Sequence, residues 1–451
     1  MSRSHSRPLT VLTSLFFMWG LITSLNDILI PHLKAMFSLS YVQAMLIQFC
    51  FFTAYFIVSL PAGRLLQRLG YQRGIVVGLC IVGVGCLMFG PAESLRSYPL
   101  FLGALFVLAA GITLLQVAAN PYVTLLGHPD TASSRLNLTQ AFNSLGATAG
   151  PLLGSVLILG AADQAASAAQ GGDSVQGPYQ ALAATLFVLA AVMAMFRLPD
   201  ARAIERAAAT SAGEVPAGRR GRLTAHRHLV LGAVAIFAYV GAEVGIGSFL
   251  INLMAEPSIA GLDHAKAGQY LAMYWGAAMV GRFAGSAIMR RVPASRVLAL
   301  VAAANVVLIG AAIALGGPAA MWLLLATGLM NSVMFPTIFS LALEGLGALT
   351  SRGSGLLCMA IVGGAIVPLL QAAVADHVAG LLVSFRCRWC AMSTSRTTAR
   401  PGTVRWRSSP RSRRRPVPRW ALRPERWTNG RRSAAQRRAR IAMRACTNSN
   451  A

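Results

Sequence analysis

Charge is scarce in this chain: only 12% of its 451 residues are Asp, Glu, Lys or Arg, and just 14 are acidic. A soluble globule carries about 25% charged residues, so a chain that is 55% apolar is not built for water and belongs in lipid. No catalytic triad, phosphate-binding loop or metal-ligand cluster occurs, which leaves enzymatic activity and a bound cofactor without support. Seven cysteines (Cys50, Cys80, Cys86, Cys358, Cys387, Cys390 and Cys446) form no disulfide framework. The first four lie in apolar runs, where a thiol acts as a small hydrophobe. Cys387 and Cys390 make a CxxC lacking the second pair a structural zinc site needs, so no metal site is expected. Lysine is absent after Phe385.

What the chain has instead is a series of apolar blocks of about 20 residues, the length of helix that crosses roughly 30 Å of hydrocarbon. Spans are predicted near 10–31, 42–62, 74–92, 98–119, 141–161 and 179–196, then 228–252, 267–289, 295–315, 319–343 and 354–375. The first apolar run, Val11 to Ile30, is longer than a signal core and lacks a small-residue cleavage site. Between the two sets, Arg197 to Arg227 is rich in Arg, Ala and Gly and reads as a central loop. The implied division is an N-terminal six-helix bundle (1–197), a cytoplasmic loop (198–227), a C-terminal bundle of about five helices (228–385) and a tail (386–451).

Cytoplasmic loops retain Lys and Arg. With the N-terminus inside, Arg3, Arg7, Arg64, Arg68, Arg73, Arg135, the loop arginines, Arg290, Arg291, Arg296 and Arg352 share one side, and only Lys34, Arg96 and Lys266 fall on the other. The two sets also echo each other: PAGRLLQRLGYQRG (Pro61 to Gly74) answers to GRFAGSAIMRRVPASR (Gly281 to Arg296), and NPYVTLL (Asn120 to Leu126) to FPTIFSLAL (Phe335 to Leu343). An offset of six helices is a parallel internal repeat.

A twelfth span should continue GLLVSF (Gly380 to Phe385), but the text changes there. Nineteen of the 40 basic residues follow, all arginine, against one acid, Glu425. Arg, Pro, Ala, Trp and Ser are what GC-rich DNA encodes out of frame, so the tail reads as frameshifted and disordered by composition. Its arginines could attract nucleic acid or anionic lipid, but no fold motif accompanies them, and no nucleic-acid partner is expected.

Asp27 stands inside the first span, in FFMWGLITSLNDILIPHLK, with no basic residue a helical turn away. A carboxyl in lipid is costly unless hydrated, paired or protonated, so Asp27 should face a cavity, either to take a proton or sugar hydroxyl or to bond Asn26 or a neighbouring helix. Span four ends GITLLQVAANPYV, placing Gln116 and Asn120 on one face, with Tyr122 near. In span five Asn137, Gln140 and Asn143 recur at three-residue steps. Two amide stripes suit a polyol, since each amide both donates and accepts; the alternative is that they only tie helices together. Pro121 should kink or stop span four. In FAYVGAEVGIGSFL, Tyr239 lies one turn from Glu243, a second candidate for cation coupling or a structural bond. Trp275, Asn331 and Gln371 could add a stacking ring and further amides, though such residues more often serve packing. Arg282 is expected to snorkel or pair at the cytoplasmic edge.

The runs FFMWGLITSLNDILIPHLK, QVAANPYVTLLG, SRLNLTQAFNSLGA, YVGAE, GRFAG, FPTIFSLAL and GGAIVP together resemble the fucose/proton symporter family of the major facilitator superfamily, and within it the glucose/galactose permeases. The resemblance covers about residues 10 to 385. It implies an all-α membrane protein of the major facilitator fold, two six-helix halves with the twelfth helix lost here, working by alternating access as a monomer in the bacterial inner membrane. It assigns Asp27 to the essential first-helix aspartate and Gln140 and Asn143 to sugar-contacting positions. Glutamine at 116, where fucose permeases have glutamate, favours glucose or galactose over fucose, leaving proton or sodium coupling to Asp27 and Glu243. The expected sugar-binding set is thus Gln116, Asn120, Asn137, Gln140, Asn143, Tyr239, Trp275 and Asn331. A permease for fucose or another monosaccharide, a drug efflux pump of the same fold and an inactive truncated product are the alternatives.

Overall fold

A computed structural model describes residues 8–22, 24, 41–154, 176–196, 199 and 222–377. Asp27, Lys34, most of the central loop and everything after His377, with the stretch where a twelfth span was expected, the CxxC and the arginine-rich tail, lie outside the described residues. All described residues belong to the first of two units, divided after Trp406.

The described residues form helices and no strands. They are α1 (Pro8–Ile22), α2 (Tyr41–Leu69), α3 (Tyr71–Ser94), α4 (Tyr98–Leu125), α5 (Ala132–Gly154) and α6 (Gln176–Met195). After the central loop come α7 (Arg227–Ala255), α8 (His264–Ile288), α9 (Ala294–Leu315), α10 (Gly317–Asn331), α11 (Met334–Leu343), α12 (Thr350–Met359) and α13 (Gly363–His377). Each span predicted from hydropathy coincides with helix over its described residues; the tenth is divided between α10 and α11, the eleventh between α12 and α13. Seven of the described stretches are long and apolar enough to cross a membrane. Those that fall short include α5 and α8, which carry the polar stripe and Lys266 and Arg282.

Helices in lipid gain little from burying apolar surface, so close approach depends on small side chains. A Cβ on Gly78 of α3 would lie 3.3 Å from the Gly111 carbonyl of α4, and one on Gly111 would lie 2.6 Å from the Val82 nitrogen. This pair lets α3 and α4 run in contact. Gly20 and Gly146 do the same for α1 and α5. At the α9–α10 turn, Gly316 and Gly317 take φ of 62° and 53°, values that cost other residues steric energy. Pro318 then opens α10, where its missing N–H costs nothing.

Within the N-terminal set α3 packs on α4 and α6, and α2 on α4; in the C-terminal set α7 packs on α13, α11 and α8, and α10 on α8 and α9. The sets meet along two main seams, α2 against α12 and α5 against α8. At the first seam glycines touch backbone: a Cβ on Gly63 would lie 2.8 Å from the Ser351 carbonyl, and one on Gly355 would lie 2.6 Å from the Ser59 carbonyl.

Pro121 does not stop span four, since α4 runs through it to Leu125. Proline leaves the carbonyl four residues earlier without its helical donor, which here is that of Val117. The Ser354 hydroxyl of α12 donates to it at 2.8 Å. The helix therefore continues because another helix fills the missing bond. Pro336, at the equivalent place in span ten, lies just past a real break: α10 ends at Asn331 and α11 starts at Met334. There the freed carbonyl is that of Ser332, and Arg282 donates to it through Nε at 3.1 Å.

Gly355→Val drives a branched side chain into the Ser59 backbone and is expected to cost about 1–3 kcal/mol. Thermal unfolding in detergent should show the midpoint fall, while Gly103→Ala, with nothing within 4 Å of the new Cβ, leaves it in place.

Candidate functional site

The stripes on α4 and α5 meet. Gln140 donates through Nε2 to Asn120 Oδ1 at 3.4 Å, and Gln116 donates through Nε2 to the Tyr55 hydroxyl of α2 at 2.6 Å. Asn120 is fully buried, and Gln116 and Gln140 are nearly so. Their bonds do not use up the amides: Gln116 Oε1 and Asn120 Nδ2 have no partner among the described residues. Closed-off polar atoms each cost about 1–3 kcal/mol when unpaired. The cluster thus offers both acceptor and donor capacity to a hydroxyl-bearing solute.

Asn143, one turn along α5, donates to the Phe16 carbonyl of α1 at 3.0 Å, tying the stripe to the first helix. Asn137 departs from the pair. It donates to the Ser133 carbonyl at 2.9 Å and to Thr337 Oγ1 of α11 at 3.2 Å, so in this conformation it belongs to the seam between the two sets.

In the C-terminal set, Asn331 ends α10 and is fully buried. Its Nδ2 donates to the Tyr274 hydroxyl at 2.8 Å, its Oδ1 accepts from Asn305 Nδ2 at 2.9 Å, and its carbonyl accepts from the Tyr239 hydroxyl at 2.8 Å. Asn331 is therefore spent on holding the break in span ten, and Tyr239 serves the same break. Glu243 is half-buried on α7, with Tyr239 and Arg282 as its near electrostatic neighbours; its Oε1 has no hydrogen-bond partner among the described residues. Trp275 is 43% exposed; its ring lies over Gly247 and edge-on to Tyr274 at 5.1 Å between centroids. Gln371 is fully buried in α13.

Arg282 takes the second of its two expected courses and pairs. Rather than snorkelling to the edge, it is half-buried and turns inward across the seam. Besides the Ser332 carbonyl it reaches the Gln140 carbonyl at 3.4 Å and the Ser144 hydroxyl, both on α5. More hydroxyl contacts line the joint between the sets: Ser133 Oγ to Ser340 Oγ at 2.6 Å, Ser134 Oγ to the Ser286 carbonyl at 2.7 Å and Ser286 Oγ to the Ser134 carbonyl at 2.9 Å. Sequence reasoning missed Tyr55, Tyr274, Asn305, Ser144 and this serine row. Asn305 alone carried a usable signal, a lone amide in the apolar run VAAANVVLIG, since lone polar groups at membrane depth need partners. Among the described residues no cluster suited to a metal ion occurs.

The model of the Major Facilitator Superfamily matches residues 12–368. Over 383 residues the chain is 57% identical to a glucose/galactose transporter of Brucella abortus, an alignment covering 85% of this chain and 91% of that one. It is 36% identical over 389 residues to the L-fucose-proton symporter of Escherichia coli, covering 83% and 88%. Among solved structures, that of the transporter FucP in its outward conformation superposes with a TM-score of 0.78 at 33% identity, covering 88% of this chain and 99% of that one.

Asn331→Ala strips partners from Asn305 and Tyr274 at once and is expected to lower stability by roughly 2–4 kcal/mol. Gln140→Ala removes one long bond and should cost about 1 kcal/mol. Unfolding midpoints of the two purified variants in one detergent check the ranking, and equal losses would contradict the assignment of Asn331 to the break.

Proposed function

The chain belongs to the Major Facilitator Superfamily, and we propose on that premise that it takes up glucose or galactose with a coupled proton by alternating access. The observation that carries this reading is the pair of amide stripes on α4 and α5, buried, in mutual contact, and with Gln116 Oε1 and Asn120 Nδ2 still able to bond. A pyranose presents a ring of hydroxyls that both donate and accept, and such amides answer it. An efflux pump for apolar drugs would gain nothing from them.

The sugar set is Gln116, Asn120, Gln140 and Asn143, with Trp275 as the exposed ring against which an apolar sugar face stacks. Asn137, Tyr239 and Asn331 act one layer behind, through the seam and the break in span ten. The name of the Brucella relative supports glucose and galactose, and glutamine rather than glutamate at 116 agrees.

Asp27 and Glu243 handle the coupled cation. A proton fits Glu243 better than sodium does, because a guanidinium beside the carboxyl repels a bound metal ion yet tolerates a neutralised acid. The name of the Escherichia coli relative, a proton symporter, points the same way.

As a member of this superfamily with multiple apolar helices, the chain is a multi-pass membrane protein. We place it in the bacterial inner membrane as a monomer with the N-terminus inside, divided at 197, 227 and 385 as the composition suggests. Bonds between the two sets gather beside the basic loops: Ser133 and Ser134 precede Arg135, Ser286 precedes Arg290, and Ser354 follows Arg352. With those loops cytoplasmic, this conformation is closed inward, as the outward-facing relative would be.

Labelled glucose, galactose and fucose are offered to a host lacking hexose transport, with and without a proton uncoupler. Accumulation of glucose and galactose that collapses with uncoupler is expected; accumulation of fucose alone, or none, overturns the reading. Asp27→Asn should reduce accumulation by about 10²-fold or more, and an undiminished gradient in that variant refutes its coupling role.

A further inference from the structure

Pro336 cannot donate to the Ser332 carbonyl, and hydrocarbon cannot do so in its place. The guanidinium of Arg282 makes up the loss with Nε, at 3.1 Å. That bond fixes where the rest of the planar fork points. Its Nη1 reaches the Gln140 carbonyl at 3.4 Å and the Ser144 hydroxyl on α5, so α8 and α5 are joined beside the sugar-facing stripe. The same cation is the charged neighbour of Glu243 on α7. One side chain therefore touches the break in span ten, the helix of the sugar stripe and the field of a candidate proton-binding carboxyl.

We propose that Arg282 is the positioning residue that couples Glu243 to the stripe on α5, exchanging its hold on Ser144 and Gln140 against attraction to the Glu243 carboxylate. With Glu243 neutral, Arg282 stays on α5 and the seam is held. With Glu243 ionised, its carboxylate attracts the same guanidinium at low effective dielectric, and such attraction outweighs two neutral hydrogen bonds. Sugar seated on Gln140 and Asn120 favours the first arrangement by ordering α5. Coupling then follows from linkage: whatever sugar does to the arrangement, protonation feels in equal measure. This inference rests on the reading of Glu243 as a coupling carboxyl.

A merely structural arginine would support the seam without linking it to the proton, and the two roles separate in proteoliposomes. Sugar exchange at equal sugar concentration on both sides needs no net proton movement, whereas concentrative uptake under an imposed proton gradient does. For the full chain, Arg282→Gln is expected to lower concentrative uptake about tenfold or more while exchange falls by no more than about threefold. Arg282→Lys, which keeps the charge without the fork, should restore part of the concentrative rate. Ser144→Ala should lie between wild type and Arg282→Gln, and adding Arg282→Gln to Glu243→Gln should cause no further loss of coupling.

Parallel loss of exchange and accumulation in both Arg282 variants, or unchanged accumulation in Arg282→Gln, overturns the proposal. A second measurement needs no transport: spin labels at exposed positions near the ends of α5 and α8 report the seam by dipolar distances. Arg282→Gln should shift the population toward longer separations, more at pH values where Glu243 is neutral. The groups facing Glu243 in that comparison are Tyr239 on its own helix and Arg282 on α8, with Tyr274 of α8 acting on Tyr239. An identical distance distribution in wild type and Arg282→Gln at every pH overturns the proposal even when the wild type moves no hexose, an outcome that by itself would sink only the sugar assignment.

Discussion

Every backbone carbonyl within hydrocarbon must find a donor inside the protein, and at Pro121 and Pro336 this chain meets that demand from other helices. Pro121 frees the Val117 carbonyl and Pro336 frees that of Ser332. The donors that replace the lost N–H groups come from other helices, Ser354 of α12 and Arg282 of α8. A local defect in one helix is thereby turned into a fixed relation between two. Span four stays continuous under this arrangement, whereas span ten breaks and needs the Tyr239 hydroxyl and the Asn305–Asn331–Tyr274 chain as well.

The two seams between the sets satisfy different physics. Along α2 and α12, Gly63 and Gly355 bring backbone to backbone, and attraction there is dispersion over closely apposed surfaces. Such contact is sensitive to added volume and insensitive to charge. Along α5 and α8 the contact is made of hydroxyls and a guanidinium, which are directional and must be exchanged for other partners if the helices part. A chemical event at the site can therefore act on the second seam through electrostatics and reaches the first only through shape.

The amide stripes were legible because spacing on a helix fixes which residues share a face, and polar groups stand out against an apolar background. The direct contact of Asn120 with Gln140 required the packing of α4 on α5, which no periodicity encodes. From its position in span ten Asn331 could serve sugar or packing; only the fold shows that it is consumed by two neighbours from α8 and α9. Arg282 was expected to snorkel or pair, and only the fold shows with what it pairs. A long cationic side chain near a helix end ordinarily reaches for water, and nothing local announces that a carbonyl freed by a proline 54 positions later offers it a better partner.

The sequence by itself determined the placing of the apolar spans over their described residues, the repeat that relates Pro121 to Pro336, and the amide stripes of spans four and five. Those features follow from one-dimensional rules, because membrane thickness sets helix length and each helix satisfies its own backbone. The tertiary structure alone decided which polar groups face one another, which are already spent, and which seam carries charge. Hydrogen bonds between helices depend on angles and separations of a few ångströms, and these arise only when glycine contacts and proline-freed carbonyls from distant parts of the chain are satisfied together.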